Sequence, residues 1–336
     1  MKKLSLLEKI IFLFNSLIAT LLLVSIIGVF ISPKSFPFIS LLSIATPTLH
    51  LINIGFLLYW LVKFKKQFLL SALVLILGFQ QVLSLYRIKE KKVLLSGDVK
   101  LMSYNVRMFN LYNWIEDKET NKHISEFIKS KDPDILCIQE YHPSTDIASE
   151  YPYNYIKIRE DQNKFGHAIL SKYKILKAGS LNFSQSTNNA IYADIIKNND
   201  TIRIYNLHLQ SLRIDPKEES FNTENSEKLS IQIQNAFIKQ VEQVNLILEH
   251  QEKIDHKSII CGDFNNTAFS WVYHKLKSDK QDAFEIAGKG FGKTVDFAFP
   301  FRIDFILADT DIEVHNFKTF DVKYSDHYPI MARLKF

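Results

Sequence analysis

In Ser258-Ile-Ile-Cys-Gly-Asp-Phe-Asn265 a short apolar run stops at a glycine, and a carboxylate and an amide follow within three residues. A run of that length bounded by glycine reads as a buried strand. Polar side chains at its end stand where loops carry function on a rigid scaffold. The same pattern recurs on both sides of it. Asn105 follows Leu-Met-Ser-Tyr, Glu140 follows Ile-Leu-Cys-Ile-Gln, and His208 ends Ile204-Tyr-Asn-Leu-His208. Asp304 interrupts Arg302-Ile-Asp-Phe-Ile306, and Ser325-Asp-His327 precedes the last apolar run. Together these residues are expected to converge at one edge of a sheet core.

The strand-like runs are Lys100–Val106, Ile135–Gln139, His167–Ser171, Ile191–Ile196, Ile202–Leu209, Ser258–Gly262 and Ile303–Leu307, alternating with helical stretches. The series predicts a sheet-rich α/β (α+β) domain over residues 93–336. Between Ser226 and Glu249, the residues Leu229, Ile233, Phe237, Val241, Val244 and Leu248 recur at a spacing of three or four. That spacing makes an amphipathic helix that would cover one sheet face. The polar run Asp215–Ser226 before it reads as a mobile surface loop. Gly288-Lys-Gly-Phe-Gly-Lys-Thr294 lacks the strand before and the helix after that a phosphate loop needs, and reads as a flexible loop near the site.

Residues 1–92 are a different material. Ile10–Ile31 is almost continuously apolar and meets the roughly 20 residues that cross a bilayer as a helix. Further apolar stretches run over Phe38–Val62 and Phe68–Tyr86, so three transmembrane helices (10–31, 38–62, 68–86) are expected. A cleaved signal peptide has an apolar core of about 7 to 15 residues, shorter than the first stretch. Of the chain's 41 basic and 36 acidic residues, positions 1–92 hold 11 and 2, leaving 30 and 34 for the remainder. The positive charge therefore belongs to the anchor, and the acidic balance downstream argues against a broad basic nucleic-acid groove. Lys2, Lys3 and Lys9 precede the first stretch and Lys63, Lys65 and Lys66 follow the second, whereas the loop between them holds only Lys34. The positive-inside rule then puts the N-terminus in the cytoplasm and the downstream domain on the extracytoplasmic side of an inner or plasma membrane. Arg87, Lys89, Lys91 and Lys92 pull the other way.

The chemistry that suits the polar set is hydrolysis of a phosphate ester. A hard cation such as Mg²⁺, with Mn²⁺ as a substitute, is held by one or two carboxylates and takes a phosphate oxygen as a further ligand. Glu140 and Asp326 are the candidate metal ligands, with Asn105 adding a neutral oxygen. His327 braced by Asp304 has its tautomer fixed and can remove or donate a proton near neutral pH. Asp263 and Asn265 can orient the attacking water, and His208 can donate to a non-bridging phosphate oxygen. Zinc is not suggested, because no His or Cys pair has ligand spacing. Cys137 and Cys261 each sit in an apolar run and read as buried, unpaired thiols.

The chain from about Lys100 to Phe336 resembles the endonuclease/exonuclease/phosphatase superfamily. The resemblance rests on Tyr104-Asn-Val-Arg107, Ile138-Gln-Glu140, Gly166-His-Ala-Ile-Leu-Ser171, Asn206-Leu-His208, Gly262-Asp-Phe-Asn265, Arg302-Ile-Asp-Phe305 and Ser325-Asp-His327, in that order. It implies a four-layer α/β/β/α sandwich of two mixed sheets with a metal at one end. It also assigns Glu140 to the metal, Asp304 to the brace on His327, and Asp263 and Asn265 to the water and phosphate. His167 stands where many relatives have a small apolar residue, so it either lines the site or fills space. Arg107 resembles the deoxyribonuclease form of the first motif. The expected partners are a phosphoester substrate (nucleic acid, phospholipid headgroup or inositol phosphate) and the lipid bilayer, and no protein partner is called for. A non-catalytic membrane protein that binds a phosphate-bearing ligand through the same fold is the competing function.

Overall fold

The computed structural model describes residues 4–159, 164–212, 223–297 and 299–336. Its first part is helical: α1 (Leu6–Gly28), α2 (Pro37–Ser40), α3 (Leu42–Val62), α4 (Phe68–Leu77) and α5 (Phe79–Leu85). Two of these, α1 and α3, are long and apolar enough to cross a membrane. The third expected span is not straight. α4 and α5 meet at Gly78 with a 63° bend and count as one span only if taken together. At the bend the chain packs closely on α3: a Cβ at Gly78 would lie 2.6 Å from His50 Nε2, which also sits 3.3 Å from the Gly78 carbonyl. The second stretch is interrupted as well, with α2 ending before α3 begins at Leu42.

Polarity in this bundle is inverted relative to a water-soluble core. Leu6, Leu13, Phe14, Leu17, Leu58 and Leu73 are exposed, whereas Asn15, Thr46, His50, Asn53 and Ser71 are buried between the helices. Most of these buried polar side chains find partners, as an apolar surrounding favours, although Asn53 Oδ1 has none. Asn15 Nδ2 donates to Ser71 Oγ at 2.8 Å, Trp60 Nε1 donates to Asn15 Oδ1 at 2.9 Å, and Ser25 pairs with Thr46.

The remaining strands are β1 (Val99–Asn105), β2 (Ile135–Tyr141), β3 (Tyr153–Ile158), β4 (Gly166–Ser171), β5 (Ile175–Ser180) and β6 (Asn189–Lys197). They continue as β7 (Asp200–His208), β8 (Ser258–Asp263), β9 (Gln281–Asp282), β10 (Asp304–Ala308), β11 (Glu313–Thr319) and β12 (Ile330–Lys335). Among the described residues they form two six-stranded sheets, ordered β11-β12-β1-β2-β4-β3 and β5-β6-β7-β8-β10-β9. Each is mixed, with one parallel pair, β1/β2 and β7/β8 respectively. The facing surfaces bury Leu101, Cys137, Ile169, Ile204, Ile259 and Ile306 between the sheets. Helix α6 (Thr120–Lys131) covers the outer face of the first sheet through Ile124 and Ile128. Helices α7 (Thr223–Gln251) and α8 (Trp271–Lys277) cover the second through Val241, Val244, Val272 and Leu276. The four-layer sandwich is thus present, with α9 (Ala283–Ala287) at its margin.

The amphipathic helix begins three residues earlier than its apolar spacing suggests. Residues 223–226 of the polar run therefore belong to α7, and the rest of that expected loop lies outside the described residues. Both cysteines are free and buried. The basic linker is sewn to the sandwich: Arg87 pairs with Gly290, and Val93 N donates to the His315 carbonyl at 3.2 Å. The same bridge ties down the Gly288–Thr294 loop.

Candidate active site

Strand register explains why the polar strand ends meet. In the second sheet, His208 on β7 is the register partner of Asp263 on β8, and Asp263 is the partner of Asp304 on β10. Three adjacent strands therefore place an imidazole and two carboxylates in one row. In the first sheet, Asn105 and Glu140 end the parallel neighbours β1 and β2, and Ser325-Asp-His327 lies just before β12, the other neighbour of β1. Central strands of both sheets thus end at one rim.

Backbone strain helps to aim these side chains. Glu140 has φ 52° at the irregularity between Gln139 and Tyr141 in the β2/β4 ladder, and Asn265 has φ 48°. Left-handed conformations of non-glycine residues persist where the surrounding structure enforces them, often at functional sites. Gly262 is required for a different reason. Its φ is 131°, and a Cβ there would stand 2.0 Å from the Leu207 carbonyl oxygen.

Asn105, Glu140, His208, Asp263, Asn265, Asp326 and His327 line one cavity of about 270 Å³. Asp304 stands behind His327, accepting from its Nδ1 at 3.0 Å. His327 Nε2 faces Asp263 Oδ2 at 3.6 Å, and His208 Nε2 faces the same oxygen at 3.5 Å. Asn105 Nδ2 donates to Asp263 Oδ2 at 3.0 Å and to Glu140 Oε1 at 3.4 Å, while its oxygen accepts from the Arg107 N–H at 3.1 Å. In this orientation Asn105 holds the carboxylates in place and does not turn its oxygen toward Glu140. Asn265 N donates to Asp263 Oδ1 at 2.8 Å.

Protonation follows from these neighbours. Burial pushes the Asp263 carboxyl up to about 7, against the opposing pull of His327. Burial alone would lower His327, but Asp304 and then Asp263 outweigh it and hold the imidazole well above its ordinary value. His208 is driven well below the usual range by burial, and the neighbouring His167 and His327 add to this, so it is neutral near pH 7 and has one N–H to donate. Glu140 is raised by burial and then by the negative charge of Asp326.

Among the described residues, Asp263, Asp304 and His327 stand close enough to share an ion. His327, however, keeps its proton between two carboxylates, which makes the trio a proton-sharing unit. Glu140 and Asp326, two carboxylates of the cavity whose charges repel each other, could together hold a hard divalent cation. Arg107 Nη1 also forms an ion pair with Asp326 Oδ2 at 3.3 Å, at a partly exposed position. His167 does not line the cavity. It is buried behind His208, ring centroids 5.8 Å apart, and burial pushes it down to about 3.

Several supporting residues have roles that the sequence does not announce. Asn206 Nδ2 donates to the Ile138 and Ala168 carbonyls at 2.9 Å, and its oxygen accepts from Gln139 Nε2 at 2.6 Å. The amides of two motifs thereby fasten the sheets together beneath the site. Thr294 Oγ1 accepts from the Ile303 and Asp304 N–H groups at 2.9 and 3.1 Å, fixing the brace. The buried Gln240 on α7 donates to the Phe264 and Asn265 carbonyls at 3.4 and 3.3 Å and supports the loop after β8.

The model of the endonuclease/exonuclease/phosphatase family matches residues 102–327, and that of a domain of unknown function matches residues 8–85. No curated protein matches the chain. Among solved structures, the human Nocturnin catalytic domain with bound sulfate is 16% identical, with TM-score 0.55 and coverage of 73% of this chain and 96% of that one. A humanized D. rerio TDP2 is 15% identical, with TM-score 0.54 and coverage of 72% and 100%. The mannosyl-6-phosphatase of Bacteroides thetaiotaomicron is 18% identical, with TM-score 0.53 and coverage of 71% and 100%. At these identities the likeness is one of fold.

Proposed function

Because the chain belongs to the endonuclease/exonuclease/phosphatase family, we propose that it is a membrane-anchored, Mg²⁺-dependent phosphoesterase that attacks its substrate with water. The observation that carries this reading is the row His208, Asp263, Asp304 closed by His327 from the opposite sheet. Asp263, with a carboxyl near neutrality, orients the water with Asn265 and takes its proton. A base with a pKa close to the working pH is the efficient choice. His327, kept protonated by Asp304, and neutral His208 donate to phosphate oxygens, where charge builds up in the transition state. Glu140 and Asp326 are the residues that would hold Mg²⁺, and Asn105 keeps Glu140 in position. When bound, the ion supplies charge neutralisation at a phosphate oxygen.

Residues 1–92 would be the anchor. The exposed apolar surface and buried polar interior of the bundle support that role, as do the two long apolar helices. The loop after α1 packs on the catalytic domain through Phe30 against His274, ring centroids 4.7 Å apart, and through Lys34 to Glu242 at 2.9 Å. Three crossings, counting α4 and α5 as one, put that loop and the domain on the same side, which the positive-inside rule makes the extracytoplasmic one.

Calorimetric titration of Mg²⁺ into the chelator-treated full-length protein tests the metal assignment. Binding is expected, and it should weaken at least about tenfold in Glu140→Gln. Equal binding by both proteins would refute the assignment.

A further inference from the structure

The catalytic cavity is not walled by the sandwich alone. Ile44, in the first turn of α3, lines it together with Leu212, Val295, Phe297, Phe301 and Ile303. The lining therefore combines carboxylate, amide and imidazole groups with a substantial apolar share. The membrane-type helix stands at the boundary of the reacting centre because the loop after β8 docks directly onto it. Thr267 Oγ1 donates to the Ser43 carbonyl at 3.3 Å, only two residues beyond Asn265. Behind that contact, Gly28, Ile39 and Ser40 pack on Asn266, Phe269 and Trp271, leaving a gap of only about 10 Å³.

Ile44 is the third residue of a 21-residue apolar helix. In a bilayer it belongs at the level where headgroups meet acyl chains. The mouth of the site is then at the membrane surface, and its apolar wall continues that of the helix. A phosphate attached to a hydrocarbon chain fits this arrangement, with its charged end among His208, His327 and Glu140 and its chain against Ile44 and Phe301. A free sugar phosphate would leave the apolar wall facing water. Extended nucleic acid would have to enter between the domain and the bilayer, and the downstream domain carries an acidic balance, 30 basic against 34 acidic residues.

Resting on the hydrolase reading of this same site, we propose that the substrate is a phosphoester borne by a membrane lipid, and that α3 supplies part of the pocket for its chain. The test uses the full-length protein in phosphatidylcholine vesicles, with bis(4-nitrophenyl) phosphate as the chromogenic substrate and ethyl, butyl and octyl phosphate as competitors. Each methylene buried against an apolar wall strengthens binding. The inhibition constant is therefore expected to fall at least about tenfold from ethyl to octyl phosphate. That gain should be largely lost in Ile44→Glu, and independently in Phe301→Ser should the first variant fold poorly. Inhibition constants independent of chain length would overturn the proposal. So would a chain-length gain that survives in both variants, or stronger competition by plasmid DNA than by octyl phosphate. If the chromogenic substrate is not turned over at all, the hydrolase reading fails by itself. Calorimetric binding of the same alkyl phosphates then still decides whether the pocket selects a hydrocarbon chain.

Discussion

Asp304 stands directly opposite Asp263 in the β10/β8 ladder. Like charges in that relation repel, and the repulsion is relieved by His327, whose Nδ1 lies 3.0 Å from Asp304 and whose Nε2 lies 3.6 Å from Asp263. One imidazolium shared by two carboxylates sets the proton inventory of the site. Replacing Asp304 by Asn removes the charge that keeps His327 protonated and frees its tautomer. The expected result is a kcat about 10²- to 10⁴-fold lower with little change in KM, read from steady-state kinetics on a soluble diester.

The pH profile should report the same pair. Asp263 acts as base only when ionised, so activity falls as pH drops below about 7. His327 acts only when protonated, so activity falls again as pH rises through its elevated pKa, which lies well above 6.5. The two limbs belong to the coupled pair rather than to either residue alone. The expected kcat/KM profile is a bell, and the rising limb should disappear in whatever activity Asp263→Asn retains.

Arg302 offers a test of stability. It is buried, donates to Asp282 at 2.7 Å and to the Ser84 carbonyl of α5 at 3.1 Å, and so joins the sandwich to the helical bundle. Tyr273 completes the cluster by donating to Asp282 at 2.6 Å. Removing one partner of a buried pair strands the other charge, at a cost of about 3–5 kcal/mol. Arg302→Ala should lower the melting temperature of the detergent-solubilised protein clearly. An unchanged melting temperature would show the cluster to be solvated.

Topology can be read directly. A reporter active only outside the cytoplasm, fused after Phe336, is expected to be active, and the same reporter placed in the Lys63–Gln67 turn is expected to be silent. The opposite pair of results would reverse the orientation assigned from Lys2, Lys3, Lys9, Lys63, Lys65 and Lys66.

Much of the site is legible in the chain because its residues end apolar runs. A polar side chain placed just beyond Ile138, Leu207 or Cys261 has a fixed direction once the strand forms. The edges are harder. β3 and β5 are partly exposed and carry weak alternation, so Tyr153–Ile158 and Ile175–Ser180 leave little periodic signal. Contacts between distant residues leave none. The close packing at Gly78 is against His50, the staple beneath the site joins Asn206 to Gln139, and Ile44 lines the cavity beside the contact of Thr267 with Ser43. Asn105 shows a further limit. Its position at a strand end is evident, but whether its oxygen or its nitrogen faces Glu140 is set by Asp263 and Arg107.

In the proposed mechanism Asp263 and His327 drive hydrolysis of a phosphoester. Turnover of bis(4-nitrophenyl) phosphate by the full-length protein with Mg²⁺, compared with Asp263→Asn and His327→Ala, measures it most directly. The wild-type protein should turn over the ester, lose activity to chelator and regain it with Mg²⁺, and each variant should fall by at least about 10²-fold. Wild-type rates in both variants would exclude Asp263 and His327 from the reaction.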